Sequence, residues 1–223
     1  YVNESDGDVL CIINPFSQIQ EQINQNEGET SGIETQLVFA DKKMRELVSQ
    51  ASVTARHNTN VLITGESGIG KSEAALELIR RGHRLVSDDV VEIKRVSKKS
   101  LIGTSPEVTR FFIELRGIGI IDVKNLYGVE SVKMEQEINL VIKLEEYNKE
   151  QEYDRLGLEE QYIEFLGNQV VCHSIPVRPG RNIAVICESA AVNHRQKNMG
   201  YNAALELYNR VTSNLQEKRS EKE

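Results

Sequence analysis

The stretch VLITGESGIGKSEAALELIRRG, residues 61–82, passes from an apolar run through a glycine-rich turn into helical spacing. Residues 60–64, NVLIT, form the short apolar run expected of a strand buried on both faces. Gly65, Gly70, Lys71 and Ser72 then fit the pattern G-x-x-x-x-G-K-[ST], with a strand before it and a helix after it, as that motif requires. Its glycines let backbone N–H groups converge on phosphate oxygens at a helix N-terminus, where the partial positive charge favours anions. Glu66, Ser67, Gly68 and Ile69 complete the loop. Lys71 is expected to reach the β- and γ-phosphates, and the Ser72 hydroxyl to ligate Mg²⁺. Ala74, Leu76, Leu78 and Ile79 suit a helix that stops at Gly82 after two basic residues. The stretch therefore predicts an α/β fold that binds a nucleotide.

Phosphoryl transfer also needs a carboxylate near the metal and a group that takes the acceptor's proton. Asp88 and Asp89 stand together at the end of an apolar run, in SDDVV. Neighbours on a strand point to opposite faces, so one is expected to face the phosphates while the other braces the strand. Two close carboxylates also push one pKa upward, which suits a group that accepts and returns protons. An ordinary strand-to-turn pair is the plain alternative. In IELRGIGIIDV, Glu114 and Arg116 share a face if extended, so both could meet one site, Glu114 at Mg²⁺ and Arg116 at phosphate charge. Taken as isolated residues, they would more often be a surface ion pair. In SIPVRPGRN, Arg178 and Arg181 flank the Pro179–Gly180 turn ahead of a helix opening at Asn182, which reads as an anion clamp or an exposed basic turn. Asp154 and Arg155 add a further charged pair.

Further out, HRLVSDDVVEIKRV, GIGIIDV, INLVIKLEEY and YIEFLGNQVVCHSIPV read as strands, and SPEVTRFFIEL as a helix start. Residues 182–215 read as a long helical stretch broken near Gly200. Residues 1–59 differ: DVLCIINPF is a strand candidate, the next segment is Gln/Asn-rich, and ADKKMRELVSQASVTARHN has helical spacing. The expected organisation is a partial N-terminal domain or linker over 1–59, a catalytic domain over 60–211 and a charged tail over 212–223. A net charge of −7 and a pI near 5.3 argue against nucleic acid or anionic membrane as partners. No run approaches the ~18 apolar residues of a spanning helix. Cys11, Cys172 and Cys187 are too scattered for a disulfide framework or a Cys-rich metal site, and with no secretory leader the expected location is the cytoplasm.

Taken in order, GESGIGKSE, RRGHRLVSDDVVEI, LIGTSPEV, IELRGIGIIDVKNLYGVESV, EYDRLGLEE and IPVRPGRNIAVICESAAVNHRQKNMGYNAA resemble bacterial HPr kinase/phosphorylase over residues 60–211. The resemblance implies a P-loop kinase domain like phosphoenolpyruvate carboxykinase, with a mixed sheet and flanking helices, assembled as a homohexamer. It implies an enzyme that phosphorylates a serine of the phosphocarrier protein HPr with ATP or pyrophosphate and Mg²⁺. Such an enzyme also removes that phosphate by phosphorolysis, in control of sugar uptake and carbon catabolite repression. By matching positions, residues 65–72 would be the nucleotide loop, with Lys71 catalytic and Ser72 and Glu114 on Mg²⁺. Asp89, with Asp88 beside it, would be base and acid, and Arg155 the catalytic arginine. The segment 177–182, with Arg178, Pro179, Gly180, Arg181 and Asn182, would favour dephosphorylation.

The resemblance breaks at one place. In the family a hairpin carrying a functional histidine precedes the phosphate-loop strand, whereas this chain has ASVTARHNTNVLITG. Gln50 or Thr54 matches the histidine position and His57 is out of register, so that role is not assigned here. Residues 43–73 also resemble the start of the AAA+ domain of bacterial enhancer-binding activators, but the acidic run and the polymerase-contacting loop expected downstream are absent. Two other functions fit the same motifs: a nucleotide-sensing regulator without turnover, and a kinase of small molecules.

Overall fold

The computed structural model describes residues 8–13, 59–154 and 156–220. Its central sheet has six strands in the order β10-β11-β9-β2-β1-β3. In chain order these are β1 (Asp8–Ile13), β2 (Val61–Gly65), β3 (Arg84–Ser87), β9 (Leu140–Glu146), β10 (Gln161–Phe165) and β11 (Asn168–Val177). β2 pairs parallel with β9, and β9 parallel with β11. β1 runs antiparallel between β2 and β3, with Asp8 opposite Gly65 and Cys11 opposite Ser87. The strand expected at DVLCII therefore lies inside the sheet that carries the phosphate loop. Because β1 opposes both neighbours, β2, β3, β9 and β11 all point the same way, and their C-terminal ends share one edge.

The alternation of side chains along these strands separates two cores. Val61 and Ile63, with Leu140, Ile142 and Leu144, pack on α1 (Lys71–Arg80) through Ala74, Ala75, Leu78 and Ile79. The same core takes Ala184, Cys187 and Ala191 of α3 (Ile183–Asn198). Leu62 and Val141 face the opposite side, where Val91, Leu101 and Ile138 cover them. Leu101 belongs to, and Val91 and Ile138 directly flank, a three-stranded sheet of β4 (Glu92–Arg95), β5 (Leu101–Thr104) and β8 (Glu135–Glu137). The domain is thus helices, mixed sheet and small sheet, and each fully buried Leu or Ile contributes roughly 2 kcal/mol.

A hairpin of β6 (Phe112–Leu115) and β7 (Gly119–Asp122) leads into the short α2 (Val123–Tyr127), which Asp122 caps by accepting the Asn125 N–H at 2.9 Å. Ile113 and Leu115 are buried while Phe112 and Glu114 face out. Three sequence readings differ here. The helix expected from Ser105 is a run of turns ending in β6, because aromatic and β-branched residues at 109–113 favour extended pairing with β7. The single strand expected at residues 83–96 is divided at Asp88–Asp89, and β3 and β4 lie in different sheets. The charged tail is helical as far as Ser220, within α4 (Ala203–Ser220), while the break near Gly200 falls as expected.

Candidate active site

Four loops leave the shared edge of the sheet. The first runs from Gly65 to Gly70, with φ values of 153° at Gly65, 85° at Gly68 and 96° at Gly70. A Cβ at Gly65 would lie 2.7 Å from the Leu144 carbonyl oxygen, so the loop passes against the neighbouring strand with no room for a side chain. Ile69 packs into the helix-side core and anchors the loop from below. Lys71 is buried and its Nζ donates to the carbonyls of Gly65 and Glu66, each at 2.7 Å, which folds the ammonium across the loop.

The second loop carries the two aspartates, whose surroundings differ. Asp88 is buried, and accepts from Ser72 Oγ at 3.0 Å and from the Glu114 N–H at 3.1 Å. Burial raises its carboxyl pKa to about 6; the nearby Asp89 charge adds to that rise, and the two hydrogen bonds oppose it. Asp89 is exposed and left-handed, at φ 58°, inside a tight turn closed by the Val90 N–H on the Asp88 carbonyl at 2.7 Å. That turn, rather than strand alternation, separates the two carboxylates. It brings Asp89 into the cleft lined by Lys71, Ser72, Glu114 and Arg116.

Glu114 and Arg116 come from β6 and the turn after it. Arg116 Nη2 donates to Ser67 Oγ at 2.9 Å, and a Cβ at Gly68 would meet Arg116 Nη1 at 2.7 Å. The guanidinium therefore lies over the phosphate loop. Among the described residues, no group of three or more His, Cys, Asp or Glu could hold a metal alone. The hydroxyl of Ser72 and the carboxylate of Glu114 suit a hard cation that takes its other ligands from phosphate and water, as Mg²⁺ does.

The third and fourth loops follow β9 and β11. Arg155 lies outside the described residues, as do Gln50, Thr54 and His57. Its neighbours are held: Asp154 accepts from the N–H groups of Leu156 and Gly157 at 2.8 and 2.9 Å, and Lys197 of α3 donates to the Gly157 carbonyl at 2.9 Å. Those two N–H donors, with smaller help from Lys197, hold the exposed Asp154 carboxyl below its usual pKa. Arg178 stacks its guanidinium 3.2 Å above the ring centre of Tyr147, and Arg181 donates to the Pro176 carbonyl of its own turn. Pro179 and Gly180 form the tip, and Asn182 caps α3 by accepting the Val185 N–H at 3.1 Å. Neither arginine lines the Asp89 cleft. Their turn is nevertheless joined to it, since a Cβ at Gly70 would lie 3.2 Å from Ile183 Cδ1. Tyr147 and Tyr153, with ring centres 5.8 Å apart, were not singled out in the sequence. Their only signal there is a pair of tyrosines bracketing a polar run.

No helix among the described residues is long and apolar enough to cross a membrane. Comparison with known proteins shows what the chain is similar to. The family model described as HPr Serine kinase C-terminal domain matches residues 47–211. The HPr kinase/phosphorylase of Lachnoclostridium phytofermentans is 77% identical over 162 residues, 73% of this chain and 52% of that protein. The HPr kinase/phosphorylase of Thermoanaerobacter sp. is 52% identical over 194 residues, 86% of this chain and 64% of that protein. The chain thus spans about half to two thirds of the length of these relatives. The solved HPr(Ser) kinase/phosphatase of Coxiella burnetii superposes with a TM-score of 0.60 at 41% identity, over 67% of this chain and 90% of that one. A family model matching residues 47–211 and a relative 77% identical over 162 residues show that the chain belongs to the HPr serine kinase C-terminal domain family.

Proposed function

We propose that the chain is the catalytic part of a cytoplasmic protein-serine kinase that phosphorylates HPr from ATP or pyrophosphate, and reverses the reaction by phosphorolysis. The observation that carries this reading is the placement of Asp89 in one cleft with Lys71, Ser72, Glu114 and Arg116. Backbone N–H groups of residues 65–72 bind the phosphates of the donor, and Lys71 swings from its two carbonyls onto phosphate oxygens. Ser72 and Glu114 would hold Mg²⁺, which would supply positive charge against the transferred phosphoryl group. Asp89 takes the proton of the acceptor serine as it attacks phosphorus. In the reverse direction it returns that proton to the serine oxygen as inorganic phosphate attacks. Asp88 orients Ser72. Arg116 and Arg155 balance transition-state charge, and the turn 178–182 supplies the second anion site that phosphorolysis needs.

The scaffold is that of phosphoenolpyruvate carboxykinase, and the working form is a homohexamer acting in control of sugar uptake and carbon catabolite repression. The long α4 supports assembly: Leu205, Tyr208, Val211 and Leu215 recur at helical spacing and are each at least half exposed. The test is incubation with γ-labelled ATP, Mg²⁺ and HPr, followed by a chase with inorganic phosphate. Label on an HPr serine that leaves as pyrophosphate supports both directions. Label that resists the chase leaves a kinase alone. Nucleotide binding without label would overturn the reading in favour of a sensor or a small-molecule kinase.

A further inference from the structure

The Arg178 side chain is held by an aromatic ring that belongs to a different loop. Tyr147 follows the last residue of β9, and its N–H donates to the Val177 carbonyl at 3.2 Å, extending the β9–β11 pairing to the residue before Arg178. The Tyr147 ring carries the Arg178 guanidinium on one side and stacks with Tyr153, at an interplanar angle of 23°. The Tyr153 hydroxyl accepts the Asn148 N–H at 3.0 Å, which turns the loop back on itself. Asp154 accepts from the N–H groups of Leu156 and Gly157, and the Gly157 carbonyl accepts from Lys197 of α3. One continuous stack therefore runs from the turn 178–182 to the loop 147–157.

A planar guanidinium stacked by its face keeps its N–H donors in the plane, free to fork onto an anion. Among the described residues none accepts a hydrogen bond from Arg178, which is exposed. An unsupported arginine on an exposed turn spreads over many rotamers and loses that freedom on binding, whereas a stacked one has already lost much of it. We propose that Tyr147 is a positioning residue that presents the edge of Arg178 to inorganic phosphate. Through Tyr153 it makes the site depend on how the loop 147–157 is set. The proposal rests on the phosphorolytic half of the function above.

The experiment uses the whole chain with Tyr147→Leu, Tyr147→Phe and Arg178→Leu. Three quantities are read: inorganic phosphate affinity by calorimetry, the KM for phosphate in the reverse reaction against the KM for ATP in the forward one, and the ring-current shift of the Arg178 Nε–H in NMR spectra. Tyr147→Leu is expected to weaken phosphate affinity and raise its KM about fivefold, as cation–π energies predict. It should abolish the Arg178 shift while the KM for ATP moves less than twofold. Tyr147→Phe retains the ring and should stay within twofold of the parent in every readout. Adding Tyr147→Leu to Arg178→Leu should change phosphate affinity no further. Unaltered phosphate affinity in Tyr147→Leu overturns the proposal, as does an equal loss of ATP and phosphate binding with a lower Tm. If HPr is labelled but phosphate does not bind the parent protein, the positioning role fails and the kinase stands. If the phosphate effects appear without any labelling of HPr, the positioning role stands and the function fails.

Discussion

The buried carboxyl of Asp88 accepts hydrogen bonds from Ser72 and the Glu114 N–H, yet its pKa still rises from 3.8 to about 6. The folded chain therefore holds this proton more tightly than the unfolded chain does. Its contribution to stability is complete below pH 3.8 and is lost as pH rises through about 6, a change on the order of 3 kcal/mol. Asparagine keeps the hydrogen-bonding shape without that loss. Without Mg²⁺ or nucleotide, Asp88→Asn should melt above the parent at pH 8 and close to it at pH 4, while phosphoryl transfer falls at least about tenfold. The exposed Asp89 predicts the opposite pairing. Asp89→Asn should shift stability by less than about 0.5 kcal/mol and cut transfer by roughly 10²- to 10⁴-fold, as measured by melting curves and labelled HPr. The sequence carried both aspartates to the site but could not divide their roles, because burial and the left-handed φ at Asp89 arise from a turn that apolar periodicity does not encode.

Two glycines of the phosphate loop test whether the loop serves the fold or the ligand. A Cβ at Gly65 would meet the Leu144 carbonyl oxygen at 2.7 Å, and that backbone belongs to a strand paired on both sides. A Cβ at Gly68 would meet the end of Arg116 at the same distance, and a long side chain can turn away. Gly65→Ala should therefore destabilise by more than about 2 kcal/mol in denaturant unfolding. Gly68→Ala, strained by φ 85° but able to displace its neighbour, should cost about 1 kcal/mol and weaken nucleotide binding more than stability. The motif identified this element because its glycines follow from ligand geometry, which is local. The helix expected from Ser105 was misread for the converse reason: its strand state comes from pairing with residues 119–122, and the Ser-Pro-Glu signal speaks only for the first turn.

At the scale of the whole molecule, the site is an edge property of one sheet, because β2, β3, β9 and β11 deliver the phosphate loop, the aspartates, the loop 147–157 and the turn 178–182 side by side. Strands at β2, β9 and β11 were legible from their apolar residues. The place of β1 was not, since nothing in six residues says which strands they will separate. That place has a kinetic consequence. Strands β2 and β3 are close in sequence but are not neighbours in the sheet; β1 pairs with both and lies between them, and residues 14–60 separate it from β2 in the chain. Pairing strands so far apart in sequence is slow compared with forming the α1 helix or the β6–β7 hairpin. In refolding from denaturant, helical signal should thus return before a fluorescent nucleotide can bind, and shortening the segment 14–60 should narrow the interval between the two. Simultaneous recovery would mean that β2 and β3 find their spacing unaided. Strand β1, first in the sheet by sequence, is in time the last to take its place beside the phosphate loop.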